Sequence, residues 1–258
     1  MNVRHFTRAS GDFIAVNVGN TPQAMGPATC VALIKKSSDT SNFEFIFTAN
    51  SSSADPHNWL FYAGLGGDNK LSLWQGVSDL EAPFTITVAE DWLVVAVSKT
   101  SGTTAPRFHK CVLSTGIWTH QDSPSTGADS TAGSPSTSNI GNSSGHTSSG
   151  AFDGHILAVA TFNTALSDAA IEAYSTRNFA DFGALVTGWL ATTPRTMYRL
   201  DQASVATALT DLTGSGADQT AIGGTSVVTN DDPPFGALPA ISNPFRGPIG
   251  MKRPIVRT

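Results

Sequence analysis

AFDGHILAVATFNTALSDAAIEAY, Ala151–Tyr174, reads as a buried strand running straight into a short capped helix. His155–Phe162 is an apolar run of strand length. Ser167 is placed to cap the helix, and Asp168 sits in its first turn, where the helix dipole favours an acid. Leu166 precedes the cap as an apolar staple, and Ile171 and Tyr174, three apart, can pack on one side. So short a helix docks on something larger.

Outward from this unit, alternation and β-branched enrichment mark further strands near Phe13–Val18, Thr29–Lys36, Phe43–Ala49, Trp59–Ala63, Leu71–Gln75, Phe84–Val88, Leu93–Lys99 and Arg107–Leu113. FEFIFTAN is expected to place Phe43, Phe45 and Phe47 on one face. WLVVAVSK is apolar on both faces, as in a central strand covered from each side. Turn signals such as SGD, GLGGDN, TSGTTAP and STG punctuate these runs, the pattern of a sandwich or barrel.

Composition agrees. Charged residues make up only 14% of the 258 and hydrophobic residues 40%, enough for a sizeable core. No run of apolar residues is long enough for a membrane-spanning helix. MNVRHFTRASGDF lacks the apolar core of a signal peptide, so classical secretion is not expected. Eleven basic and 20 acidic residues precede Pro233, whereas four basic and no acidic residues follow it. The acidic body argues against a nucleic-acid partner. Cys30 and Cys111 lie in apolar runs without metal spacing, which favours two buried reduced thiols over a disulfide.

Two regions stand apart. Asp122–Gly150 is nearly all Ser, Thr, Gly, Pro and Asn, although TSNIG around Ile140 suits a brief strand. Asp231–Thr258 carries six prolines, which forbid a regular helix or central strand. It reads as an extended arm with apolar studs, Phe235 and Phe245 among them, and a basic end formed by Arg246, Lys252, Arg253 and Arg257. The organisation expected is a sandwich over 1–180, added strands over 181–230, and the arm over 231–258.

Phe152, Gly154, Ile156, Val159, Phe162, Asn163, Ala165, Leu166, Ser167 and Ile171 resemble the closing segment of laminin G-like domains, the concanavalin A-like jelly rolls. HFTRASGDFIAVNVG looks like the opening of that family, and EDWLVVAVSKTSGTTAPRFHKCVLSTG is similar to its middle. The resemblance spans about residues 5 to 175. Leu157 and Ala158 stand where the family often has acids. Tyr198–Val227 is similar to a stretch that usually precedes such domains and here follows one. The fold implied is an antiparallel β-sandwich, a concanavalin A-like jelly roll with one short helix and an extended C-terminal arm. Phage virion proteins often carry such domains. The resemblance therefore implies a structural protein of a bacteriophage virion surface, in tail tip or capsid, made in the host bacterial cytoplasm. Its partners would be other virion proteins or copies of itself, met through the arm.

Chemistry is harder to find. Glu44, Glu81, Glu90 and Glu172 show no paired-acid motif of the jelly-roll glycoside hydrolases, and Ala89–Asp91 reads as a solvated turn. No Gly-x-Ser-x-Gly elbow occurs, and GLGGDN lacks the lysine and helix of a phosphate loop. The six histidines have no ligand spacing along the chain. No enzyme is expected and no cofactor, save that the resemblance implies a calcium ion at a sandwich rim, where Asp12 and Asp153 are the candidates. Trp92 and Trp189 read as core. Trp59 and Trp118 border loops with polar neighbours and are the candidate platforms for a host cell-surface glycan. A glycan-binding module is the alternative to the virion role, and a hydrolase ranks last.

Overall fold

A computed structural model describes residues 1–16, 27–39, 43–49, 59–64, 68–75, 78–101, 103–127, 138–142, 150–204, 207–215, 218–223 and 227–236, with backbone alone at 59, 60, 75, 78, 227 and 228. Phe245, Arg246, Lys252, Arg253 and Arg257 lie outside these residues. So do most of the Ser-rich stretch and the turns at 55–58 and 65–67.

Two antiparallel sheets form a sandwich. In chain order the strands are β1 (Asn2–Phe6), β2 (Phe13–Val16), β3 (Ala28–Lys36), β4 (Glu44–Ala49), β5 (Trp59–Ala63), β6 (Lys70–Gln75), β7 (Ser78–Thr85) and β8 (Trp92–Lys99). They continue with β9 (Arg107–Val112), β10 (Ile117–Asp122), β11 (Ser138–Ile140), β12 (Gly154–Phe162), β13 (Thr196–Arg199), β14 (Gln219–Gly223) and β15 (Val227–Asn230). One sheet runs β10-β9-β8-β3-β12-β1-β15, with β13 also on β12; the other runs β14-β2-β11-β4-β5-β6-β7. The core between them holds Phe6, Ile14, Ile34, Phe47, Phe61, Leu73, Leu93, Val95, Phe108, Ile156 and Val159, all fully buried. Removing each such side chain from water contributes roughly 1.5–3 kcal/mol.

The first sheet is covered on its outer face as well. Helices α1 (Asp168–Glu172) and α2 (Phe182–Ala191) pack there through Ile171, Leu185 and Trp189 against Val31, Leu33, Val94, Ala96 and Met197. This is why β8 is buried at every position, with Leu93, Val95 and Val97 facing one layer and Trp92, Val94 and Ala96 the other. A bulge in β12 between Ile156 and Ala158 turns both Leu157 and Ala158 toward the helices. Two apolar residues stand in place of acids because a helical layer covers them. Ser167 caps α1, its hydroxyl accepting the Ala170 amide at 3.3 Å.

Residues 181–230 open with α2, a helix that the sequence reading did not anticipate, before the three strands β13–β15. Residues 231–236 run along the helical layer. Thr176 donates to the Pro234 carbonyl at 2.6 Å, the Gly236 amide to the Phe179 carbonyl at 2.8 Å, and Asp231 pairs with Lys35 at 2.9 Å. The phenylalanines of β4 depart from strict alternation. A bulge against β5 between Phe45 and Phe47 sends Phe47 into the core and leaves Phe43 and Phe45 with Tyr62 and Trp74 on the other face. Cys30 faces the inter-sheet core and Cys111 the helices, so the two free thiols stand on opposite faces of one sheet and cannot pair.

Gly154 starts β12 with φ +148°, and a Cβ there would lie 2.1 Å from the Lys35 carbonyl oxygen. Gly154→Ala is expected to force β12 away from β3 and to destabilise by about 2–3 kcal/mol. Urea denaturation measures this, and a loss under about 0.5 kcal/mol would contradict it.

Candidate functional site

The β9–β10 hairpin turns at Gly116 (φ +69°), whose amide donates to the Val112 carbonyl at 2.8 Å. Val112 then pairs with Ile117, and the register sets Trp118 opposite Cys111 and His120 opposite His109. Trp118 and His120 share a face and stack, ring centres 5.4 Å apart and 9° from parallel. Their neighbour is the stretch from α1 through the 3-10 turn Thr176–Asn178.

Between hairpin and helix lies a cleft of about 500 Å³ lined by Gly116, Trp118, Glu172, Ser175, Arg177 and Asn178, with Ala169 and Ala173 as its small residues. Its walls are tied together. Arg177 Nε donates to the Leu113 carbonyl at 2.6 Å, Asn178 Nδ2 to the Glu172 carbonyl at 2.9 Å, and His120 Nε2 lies 3.0 Å from Glu172 Oε1. Between the lining residues Ala173 and Ser175, Tyr174 is buried in the core, where its ring meets Trp189 edge-on at 5.0 Å. Trp118 is half-buried: one part packs on the apolar layer and the rest borders the cleft. An indole wall with a carboxylate, a guanidinium and an amide around it suits a ligand with an apolar face and a polar rim.

The other sequence-designated residues are dispersed. Trp59 opens β5, paired with Ala49 and Gln75, and its side chain lies outside the described residues. Phe235 packs against the helical layer and lines a second cleft of about 420 Å³ with Met1, Asp181, Phe182, Arg199 and Asp232. Asp12 is fully buried and accepts the Thr7 amide at 2.8 Å. Asp153 accepts the Ser38 hydroxyl at 2.6 Å, and its carbonyl takes the Ser37 amide at 2.8 Å.

Sequence reasoning passed over two groups. Asp79 and Glu81 alternate along β7; Asp79 accepts from the Tyr62 hydroxyl at 2.5 Å and Glu81 pairs with Lys70 at 2.9 Å. Burial pushes the Asp79 carboxyl up to about 6, against the pull of the Tyr62 bond. The second group is His109, His120 and Asp168, dispersed along the chain and gathered by the hairpin and α1. The STG turn was the available signal, because a tight hairpin there places residues 109 and 120 opposite each other.

No protein-family model and no curated protein matches the sequence. Solved structures do resemble it. A candidate carbohydrate-binding protein from Bacteroides ovatus aligns with a TM-score of 0.57 at 16% identity, over 91% of this chain and 61% of its own. The chain thus spans less than two thirds of that protein's length. The fold is a lectin-like β-sandwich. The heptameric SAP-like pentraxin of Limulus polyphemus gives 0.53 at 13% identity, covering 69% of this chain and 82% of its own. Tailspike protein 2 of an Escherichia coli O157:H7 bacteriophage gives 0.50 at 12% identity, over 76% of this chain and 26% of its own. At these identities the likeness is one of fold, and the lectin-like sandwich takes its chemistry from its own residues.

Proposed function

We propose that this sandwich is a glycan-binding module that holds a saccharide in the Trp118 cleft without turning it over. The observation that carries the reading is Trp118 itself, a half-buried indole held in orientation by its stack on His120 and bordering a cleft with Glu172, Arg177 and Asn178. A sugar ring would lay its C–H face on the indole while its hydroxyls meet the carboxylate, guanidinium and amide. The fold of the Bacteroides ovatus protein supports the same reading. Asp79 and Glu81 are committed to Tyr62 and Lys70, and the calcium expected at Asp12 and Asp153 is no part of the proposal, since each carboxylate already holds a turn.

The test is a glycan array of bacterial cell-wall and capsular polysaccharides. Trp118→Ala is expected to weaken binding about 30-fold or more while leaving the fold intact, as loss of a central aromatic anchor does. A wild-type protein that binds no glycan, or a variant that binds as well, would sink the proposal. Released reducing sugar would show turnover and overturn the non-catalytic part.

The fold likeness to a phage tailspike favours a second reading, a virion-surface setting for the same module. The arm would then reach a neighbouring virion protein or copy. Deleting residues 237–258 is expected to leave the sandwich folded and to block its incorporation into particles; normal incorporation would refute this.

A further inference from the structure

His109 and His120 face each other across the β9–β10 pair with their Nδ1 atoms 2.8 Å apart. Asp168, the first residue of α1, brings Oδ1 to 3.7 Å from Nδ1 of His109 and 3.9 Å from Nδ1 of His120. Three donors thus converge on one point from two strands and a helix. We propose that His109, His120 and Asp168 hold one divalent transition-metal ion of the zinc class, tying the hairpin to α1.

The distances fit such an ion. Bonds of about 2.0–2.1 Å in tetrahedral geometry put neighbouring ligand atoms about 3.3 Å apart, so each atom moves by roughly half an ångström. The donor set, two imidazoles and one carboxylate, suits zinc or its neighbours and not calcium, which takes six to eight oxygens. The surroundings orient every ligand. Nε2 of His120 lies 3.0 Å from Glu172 Oε1, and Nε2 of His109 lies 2.9 Å from the Ser98 hydroxyl. Arg107 grips Asp168 by two bonds of 2.6 Å and reaches Asp122 at 2.9 Å. A carboxylate behind a ligating imidazole fixes its tautomer and strengthens it as a donor.

Charge and access agree. Asp122 and Asp168 pair with the Arg107 guanidinium and Glu172 with His120, so three carboxylates against one guanidinium leave a double negative charge for a divalent ion to balance. His109 is fully buried, whereas Asp168 is 36% exposed, so the approach from solvent is past the aspartate and leaves a fourth position for water.

Without an ion the same atoms are linked by hydrogen bonds, Glu172 to His120, His120 to His109 and His109 to Ser98. An ion held by both Nδ1 atoms requires each to be unprotonated, so each neutral imidazole then carries its proton on Nε2 and donates it, His120 to Glu172 and His109 to the Ser98 hydroxyl.

Tag-free protein stripped with EDTA and dialysed is titrated with Zn²⁺ by calorimetry and with Co²⁺ by visible absorbance. The expected result is one ion per chain, Co²⁺ bands of a low-coordinate nitrogen and oxygen site, and quenching of the tryptophan emission that Trp118→Phe removes. His120→Ala, on an edge strand, is expected to abolish uptake, and Glu172→Gln to weaken it about 10-fold. Circular dichroism checks that both variants fold. Absence of stoichiometric uptake by the wild type overturns the proposal, as does uptake that His120→Ala leaves unchanged, for example at His5 and His155. None of these readouts uses a glycan, so the result is independent of the cleft's ligand.

Discussion

Lys36→Met is expected to destabilise the protein by about 3 kcal/mol near pH 9, because it removes one partner of a buried ion pair. Lys36 and Glu44 have fully buried side chains, and Nζ stands 3.0 Å from Glu44 Oε2. Arg8 meets the other carboxylate oxygen at 3.0 Å. Burial already pushes the Glu44 carboxyl up to about 7 from an ordinary 4.5, despite the pull of Lys36 and Arg8. A pKa raised on folding means that the folded state binds the extra proton, so stability is lost as pH rises from 4.5 through about 7. With Lys36 gone the carboxyl rises further. The penalty therefore grows as pH rises above about 7, where the wild-type carboxyl ionises and the variant's is held protonated, and it shrinks below pH 7, where Glu44 is protonated in both folded proteins. Urea denaturation from pH 5 to pH 9 measures it, and a pH-independent loss would contradict the account. Adding Glu44→Leu should recover most of the stability, since replacing both charges by apolar groups of similar size removes the desolvation cost as well. Arg8, 16% exposed, can turn to water.

Trp189→Ala is expected to cost about 4 kcal/mol, the range for deleting a buried indole. The side chain is 1% exposed, donates from Nε1 to the Tyr174 carbonyl at 3.3 Å and lies edge-on against the Tyr174 ring. It is the main anchor of α2 on the first sheet, and Tyr174 leads directly into the turn bearing Ser175, Arg177 and Asn178. The substitution should therefore loosen the cleft as well as the fold, and ligand binding should fall even where the variant is still folded. Trp189→Phe is expected to lose less than half as much, keeping the ring contact and losing the hydrogen bond. A loss below about 1 kcal/mol for the alanine variant would mean that α2 is held by something else.

The central strands were legible because burial on both faces leaves an unbroken apolar run, as in Trp92–Lys99. Helix α1 was legible through Ser167 and Asp168. Helix α2 was not, because Gly183, Thr187 and Gly188 depress its intrinsic propensity. Gly188 is there for packing: a Cβ would strike the Phe179 ring at 2.2 Å, so the bare backbone lets that ring lie against the helix. The order of phenylalanines in β4 misled because a bulge is a tertiary feature and leaves no mark in alternation. Of the candidate site, Trp118 could be singled out from its polar neighbours. Its partners could not, since Glu172, Arg177 and Asn178 come from a segment more than fifty residues away. The two histidines carry no motif because their relation is a strand register, not a spacing.

The apolar outer face of the first sheet limits how this sandwich can be inherited. A jelly roll whose two outer faces meet water can be cut at its last strand and joined to another chain. Here a cut after β12 would bare Val31, Leu33, Val94, Ala96, Leu157 and Ala160 together. Recombination that moves the strands without residues 166–200 would produce an adhesive, insoluble product. The smallest heritable unit is the sandwich with its helices, and the Trp118 cleft, built half from each, travels whole or not at all.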